Sequence, residues 1–259
     1  MRLVTLAPLA LALTLQCLPV IADITRTPKA QADRIVNLPG VTFALNFEQF
    51  SGYLPTSTEY GNADLFYWSI ESQNNATTDP LILFINGDLG CSSTGSLFEE
   101  IGPFRIYQSQ DVVNENVFSW NKVQWSLKIE KFMKFKMNSR RSPQVANLLV
   151  IDMPYTGLTP NPPWAMNDDD KVVSTLLSAL DQFFIAYPER LVNQFYVAGE
   201  GYGSVYATRI AYHFMQQLSL GKATANLQGV IIENGLLSVK TEFNTILPIY
   251  YTHGYAGKE

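Results

Sequence analysis

The strongest clue to the architecture of the chain is the segment Gln194-Phe-Tyr-Val-Ala-Gly-Glu-Gly-Tyr-Gly-Ser204. An apolar run ends at Ala198, three alternate glycines follow, and apolar side chains at helical spacing begin at Tyr206. This order predicts a strand, a tight turn and a helix. It is the setting of a nucleophile elbow, Gly-x-Ser-x-Gly, in which a strained turn lifts a serine hydroxyl above a sheet.

The central position of this corner is Gly201, where the elbow pattern has serine. Glycine cannot form an acyl intermediate, although it adopts the unusual backbone of such a turn more easily than serine does. The corner is therefore predicted to persist as structure without its nucleophile. The alternative is an ordinary glycine-rich turn between strand and helix. A dinucleotide-binding turn is disfavoured, because the spacing Gly-x-Gly-x-x-Gly is absent here.

Length and composition predict one globular α/β domain, and we expect no cofactor. The chain has 259 residues, of which 47% are hydrophobic and 16% charged. Its net charge of −5 shows no overall excess of basic residues of the kind that binds nucleic acid. The two histidines, His213 and His253, lie far apart, and neither has a second ligand at a metal-site spacing. We therefore expect no metal.

Residues 1–22 are predicted to be a secretory signal peptide. Arg2 precedes an apolar run that ends at Ala22, before the polar Asp23. The alternative is an uncleaved membrane anchor, but the run contains Gln16 and two prolines. We therefore expect residues 23–259 to be extracellular or lysosomal, with no membrane span after cleavage of the signal peptide.

Two further features bear on a secretory route. Asn75 begins the glycosylation acceptor Asn-Ala-Thr. Because Cys17 belongs to the predicted signal peptide, the mature chain keeps one thiol, that of Cys91, which is a leftover cysteine in an oxidising compartment.

Apolar patterning around the corner predicts alternating strands and helices. The predicted elements are an antiparallel pair of strands at 50–54 and 65–72, strands at 81–85, 147–153 and 230–232, a helix after Asp170 that ends at Pro188, and a helical cap region from Ile246. The strands at 81–85 and 230–232 are continuously apolar, which predicts that both are buried.

Many short motifs accompany the corner in a fixed order. They are Ser51-Gly52-Tyr53, Tyr67-Trp68, Glu71-Ser72, Asn86-Gly87, Gly90-Cys91-Ser92-Ser93, Glu100-Ile101-Gly102-Pro103-Phe104, Ser119-Trp120-Asn121-Lys122, Gly199-Glu200 with Tyr202, Asn226-Leu227-Gln228-Gly229 and Asn234-Gly235-Leu236. Over about residues 30 to 259 the chain resembles the serine carboxypeptidase family, most of all its cathepsin A branch. The resemblance implies the α/β-hydrolase fold and a secreted, vacuolar or lysosomal protein that releases C-terminal residues from peptides at acidic pH.

The resemblance also implies roles for individual residues. Asn86, the Gly87 backbone, Glu100 and Glu200 would bind the substrate carboxylate, and the backbones of Asp88 and Tyr202 would form the oxyanion hole. Two carboxylates can receive a third only by sharing a proton, which fits an acidic pH. Without the resemblance, Glu100 and Glu200 would be interpreted as solvated surface residues. An aspartate at position 88 would bring a negative charge close to the oxyanion hole. It would therefore disfavour the negative charge that develops on the oxyanion in the transition state.

A second departure from the family is an insertion at about residues 124–145. It interleaves apolar residues with Lys128, Lys131, Lys134, Lys136, Arg140 and Arg141. The sequence leaves two interpretations open. The segment is either a basic amphipathic helix for an acidic surface or membrane interface, or an exposed loop that includes translated intron.

The acid and histidine that complete the catalytic triad of this fold follow the nucleophile in the chain. Neither His213 nor His253 matches the family's catalytic position, and we expect both to be structural. We also expect the sheet to be truncated before its last strands, which would leave residues 230–232 as an apolar edge open to self-association. The sequence therefore disfavours an active carboxypeptidase. It leaves a truncated gene product, or a non-catalytic secreted binder of peptide C-termini or of a family partner.

Overall fold

The computed structural model describes residues 26–87, 90–107, 111–122, 145–162, 168–222 and 225–255. The strands are β1 (Gln49–Thr58), β2 (Gly61–Ile70), β3 (Leu81–Ile85), β4 (Phe104–Ile106), β5 (Val113–Glu115), β6 (Asn147–Ile151), β7 (Gln194–Glu200) and β8 (Asn226–Glu233). The helices are α1 (Pro28–Ala32), α2 (Ser96–Glu99), α3 (Asp169–Ala186), α4 (Gly203–Ser219) and α5 (Val239–Thr252).

Six strands form the main sheet, in the order β1-β2-β6-β3-β7-β8. The strand β2 is antiparallel to both of its neighbours, whereas β6, β3, β7 and β8 run parallel. The predicted antiparallel pair and the central strand at 81–85 are thereby confirmed. Every residue of β3 and β6 is buried, as expected for parallel strands covered on both faces.

Two hydrophobic cores sandwich the sheet. The larger one lies beneath α3 and α4 and includes Leu180 and Phe183 of α3 with Tyr206 and Ile210 of α4. The smaller one covers the opposite face and includes Phe104 of β4. Because a packed core covers each face, the central strands are fixed in position. The loops that begin at the carboxyl ends of these strands therefore start from fixed points.

The helix predicted after Asp170 is confirmed as α3. The side chain of Asp168 caps it by accepting a hydrogen bond from the Asp170 N–H at 2.9 Å. The helix ends at Ala186, and a short 3-10 turn follows at Pro188–Val192.

Of the two expectations for residues 230–232, burial is wrong, whereas the position at an edge of the sheet is confirmed for the described part of the chain. The strand β8 extends over Asn226–Glu233 and has no buried residue, with Val230 36% and Ile232 43% exposed. The physical reason is that β8 pairs only with β7 and forms an edge of the sheet in the described part of the chain. The helix predicted from Ile246 begins earlier, at Val239, and is likewise without a buried residue.

Several sequence predictions lie outside the described residues. They concern the signal peptide at 1–22, Asp88, and the insertion at 124–145 except its last residue, Val145. Among the described helices, none is both long and apolar enough to cross a membrane.

Candidate active site

The predicted strand, turn and helix occur where the sequence places them. The strand β7 ends at Glu200, α4 begins at Gly203, and Gly201 lies at the apex between them with φ +51°. A positive φ of this size is strained for residues with a β-carbon and costs glycine little. The backbone of the corner therefore has the sharp, left-handed turn that an elbow requires.

The glycines of the corner differ in the space around them. A β-carbon on Gly199 would lie 2.4 Å from the Gly203 carbonyl oxygen, and one on Gly203 would lie 2.4 Å from the Ile85 carbonyl oxygen. A β-carbon on Gly201 would meet nothing closer than the Gly87 Cα, at 3.5 Å. We call Gly199 and Gly203 the floor of the corner and Gly201 its crest. The floor excludes any side chain, whereas the crest has room for one.

Backbone hydrogen bonds hold the crest from the side of β8. The Gly201 N–H donates to the Glu233 carbonyl at 3.0 Å, and the Leu236 N–H donates to the Gly201 carbonyl at 3.0 Å. The Ser204 hydroxyl donates to the same Gly201 carbonyl at 2.5 Å. The position of the crest is thus fixed by two elements besides its own strand.

The loop after β3 lies against this corner. A β-carbon on Gly87 would be 2.3 Å from the Glu200 carbonyl oxygen, so the two backbones touch. The Asn86 side chain is braced, since its Oδ1 accepts from the Gly87 N–H at 2.5 Å and its Nδ2 donates to the Ser92 carbonyl at 3.3 Å. The structure therefore brings Asn86 and Gly87 beside Glu200 and Gly201.

Glu100 and Glu200 are brought together from distant parts of the sequence, and their side chains form a hydrogen bond. Partial burial raises the pKa of Glu100, and the nearby charges of Glu200 and Glu233, with the hydrogen bond to Glu200, raise it further. Two carboxyl groups can form such a bond only when one of them carries a proton. Glu100 remains exposed to solvent and Glu200 is half-buried, so the two side chains interact at the surface of the sheet edge.

Tyr202 follows the crest and stands at the N-terminal end of α4. Its hydroxyl donates to Asp169 Oδ2 at 2.8 Å, and the hydroxyl of Tyr206 donates to Asp169 Oδ1 at 3.2 Å. The sequence does not indicate this contact, because Asp169 and Tyr202 are 33 residues apart in the chain. The N-terminal end of a helix carries a partial positive charge, so α4 also favours a negatively charged group in front of Tyr202.

The contacts of the two histidines in the structure are with other parts of the chain. His213 is about three turns into α4, and its charge acts on Asp181 of α3. The Nδ1 atom of His253 lies 2.9 Å from the Ile249 carbonyl oxygen at the end of α5. Neither histidine hydrogen-bonds to the corner within the described residues. Among the described residues, no cluster of His, Cys, Asp and Glu side chains could hold a metal ion.

Two isolated positions complete the predicted set. Asn75 is exposed in the turn before β3, and its Oδ1 accepts from the Thr77 hydroxyl at 2.6 Å. Cys91 is exposed, and its thiol forms no disulfide in the part of the chain that the structure describes.

Comparisons with known proteins agree on one family. The profile of the serine carboxypeptidases, Peptidase_S10, matches residues 39–259. The serine carboxypeptidase ctsa-4.1 of Caenorhabditis elegans is 32% identical over 225 residues, which cover 85% of this chain and 42% of that protein. The lysosomal protective protein of Mus musculus is 31% identical over 227 residues, which cover 87% of this chain and 42% of that protein. The chain thus spans less than half the length of these relatives.

A solved structure gives the same result for the fold. The prohormone-processing carboxypeptidase Kex1 from Saccharomyces cerevisiae superposes with a TM-score of 0.70 at 21% identity, over 90% of this chain and 49% of that one.

Proposed function

Because the chain belongs to the serine carboxypeptidase family and has the α/β-hydrolase fold, we propose that it is a non-catalytic member that binds the free C-termini of peptides. The binding site would consist of Asn86, the Gly87 backbone, Glu100 and Glu200. The observation that carries the proposal is a corner that keeps its backbone and its neighbouring carboxyl pair but has no hydroxyl at its crest.

The loss of acyl transfer follows from the hydroxyl groups at the corner. Gly201 has none, and acyl-enzyme chemistry requires a nucleophile at that point. The Ser204 hydroxyl cannot substitute, since Ser204 is fully buried and donates to the Gly201 carbonyl. The hydroxyl of Tyr202 is engaged by Asp169. Neither hydroxyl is available to attack a peptide bond above the crest.

The retained carboxyl pair supports a binding role. When the Glu100 and Glu200 pair holds a proton, that proton can be donated to a carboxylate of the ligand. The N-terminal end of α4 lies next to the pair and adds a partial positive charge. A peptide that ends in a free carboxylate carries the negative charge that both features favour, whereas an amidated peptide lacks that charge.

The pH dependence of binding follows from the raised pKa of Glu100. A raised pKa means that the pair keeps its proton to a higher pH than an ordinary carboxyl group does. Binding is therefore strongest below that pKa and is lost as the pH rises through it. An acidic compartment is the environment in which such a site works best.

We also place the protein in the secretory pathway, in the lysosome or outside the cell. Residues 1–22 have the pattern of a signal peptide, and the Asn75 acceptor is exposed in a turn. The relative from Mus musculus is named a lysosomal protein. A mobility shift of the secreted chain on glycosidase treatment, absent in Asn75→Gln, tests the route. An unshifted, unprocessed chain would contradict it.

The binding proposal is tested by titrating one peptide in free and amidated forms at pH 5 and pH 7. We expect the free form to bind about tenfold more tightly at pH 5, since a hydrogen bond to a charged group contributes about 1.5–3 kcal/mol. Glu200→Gln should abolish that preference. Glu59→Gln, in the turn after β1 at the opposite edge of the sheet, is the matched control. Equal affinities of the two peptide forms would overturn the proposal.

A second candidate is an incomplete gene product that self-associates through β8. The exposed Val230 and Ile232, together with α5, leave an apolar region at that edge. This candidate predicts concentration-dependent assembly and no cooperative thermal unfolding for residues 23–259. A monomer that unfolds in one cooperative transition would eliminate it.

A further inference from the structure

Asp152 is a fully buried carboxylate that directly follows the strand β6. Its two oxygens accept hydrogen bonds from two different loops. Oδ1 accepts from the Ser92 hydroxyl at 2.7 Å and from the Thr94 N–H at 3.0 Å, in the loop after β3. Oδ2 accepts from the Leu158 N–H at 3.0 Å, in the loop after β6. One side chain therefore joins two loops at the carboxyl edge of the sheet.

Hydrogen bonds alone compensate this carboxylate in the described part of the chain, since none of the ion pairs there includes Asp152. A buried carboxylate costs free energy unless such bonds are made. Asparagine would fill nearly the same space, but its amide nitrogen cannot accept a hydrogen bond, so one of the two loops would lose its acceptor. Only a carboxylate at this position can hold both loops at once.

Ser92 connects Asp152 to Asn86, a residue of the candidate binding site. The Ser92 carbonyl accepts from Asn86 Nδ2 at 3.3 Å, and the hydroxyl of the neighbouring Ser93 accepts from the Asn86 N–H at 3.2 Å. The side-chain nitrogen of Asn86 has two donor hydrogens. Within the described residues it bonds only to Ser92, so one donor is left for a ligand. The direction of that donor depends on the position of Ser92.

We propose that Asp152 is a positioning residue for the binding of peptide C-termini. Through Ser92 it holds the side-chain amide of Asn86 in the orientation that meets the terminal carboxylate. The inference rests on the proposed function, since it concerns the same site. A donor that is fixed before binding loses less conformational entropy when the ligand arrives, so the fixed amide binds more tightly than a freely rotating one.

The first measurement needs no peptide. In protein labelled with 15N-asparagine, the side-chain amide of Asn86 is identified as the signal pair that Asn86→Ser removes. Asp152→Asn and Ser92→Ala should shift that pair and lower its order parameter, because the amide gains motion. The matched control is Tyr53→Phe, which removes a hydroxyl bonded to the Leu158 carbonyl at 3.3 Å and should leave the pair unchanged.

The second measurement is the affinity for one peptide in free and amidated forms at pH 5. Asp152→Asn should bind the free form about fivefold more weakly and Ser92→Ala about threefold, as for the loss of one hydrogen bond. The variant with both changes should bind no more weakly than Asp152→Asn, because both changes act on Asn86. Binding of the amidated form should change little, and Tyr53→Phe should bind both forms as the unaltered protein does.

The outcomes separate the two proposals. Ser92 is only half-buried, so Ser92→Ala provides the test even if Asp152→Asn does not fold. An Asn86 amide that is unchanged in Ser92→Ala would overturn the positioning role. A shifted amide with unchanged affinity for the free peptide would overturn it too, and would leave the binding site intact. Equal binding of free and amidated forms by the unaltered protein would overturn the proposed function, and the role of Asp152 in binding with it.

Discussion

At the floor of the β7–α4 corner, Gly199 and Gly203 have no space for a β-carbon, whereas at the crest Gly201 has space for one. The floor glycines are required by backbone packed on backbone, whatever chemistry the corner performs. Gly201 suits the left-handed turn, but the packing around it does not demand the absence of a side chain. The comparison teaches that the backbone of the elbow does not depend on a serine, since this chain keeps the turn with glycine at its crest.

The largest effect is expected from filling the floor. Gly203→Ala would place a β-carbon against the Ile85 carbonyl, and the corner would have to move to accept it. We expect a loss of about 3 kcal/mol in the free energy of unfolding, measured with urea, as for overpacked cores. Gly95→Ala is the matched control, because it adds the same methyl group where no atom lies within 4 Å. If both variants were equally stable, the corner would not be as tightly packed as described.

The carboxyl pair beside the crest should respond next most strongly, and to pH. Because the pKa of Glu100 is raised, affinity for a free peptide C-terminus should fall as the pH rises through it, by about tenfold over the titration. Fluorescence anisotropy from pH 4 to pH 8 measures this. Glu100→Gln should remove the titration, and Glu59→Gln should retain it. An affinity that rises with pH would contradict the shared-proton account.

Restoring the missing hydroxyl at the crest should have a smaller effect on folding. Gly201→Ser meets only ordinary contacts, but a residue with a β-carbon at φ +51° costs about 1 kcal/mol. The variant should therefore fold and should release no amino acid from a peptide substrate, since neither histidine bonds to the corner in the described part of the chain. Turnover by Gly201→Ser would show that a base does reach the crest.

The smallest effect on stability is expected on β8, the strand without a buried residue. Val230→Lys changes a half-exposed edge residue, so the free energy of unfolding should shift by less than about 0.5 kcal/mol. If β8 pairs with a second copy, the same change should abolish dimers in analytical ultracentrifugation. Dimers that persist in Val230→Lys would place self-association elsewhere.

The corner could be predicted from the sequence alone, because the patterns that specify it are local. An apolar run, alternate glycines and a helical spacing lie within one short segment, and each predicts its own element. The central strand at 81–85 and α3 were predicted for the same reason. The family motifs also predicted Glu100 and Glu200 as residues of one site, and in the fold the two side chains interact.

What the sequence did not predict depends on neighbours distant in the chain. The apolar pattern of residues 230–232 predicts burial by itself, and only the expectation that this strand ends the sheet indicates their exposure. The contact of Asp169 with Tyr202 exists only because α3 packs beside α4.

The proposed non-catalytic role is tested most directly by following the mass of a bound peptide. The secreted chain is incubated at pH 5 with an excess of a peptide that has a free C-terminus and binds to it, and intact masses are recorded over many hours. The account predicts that the peptide remains whole while bound. Stepwise loss of its C-terminal residue, above that in the heat-inactivated control, would contradict it.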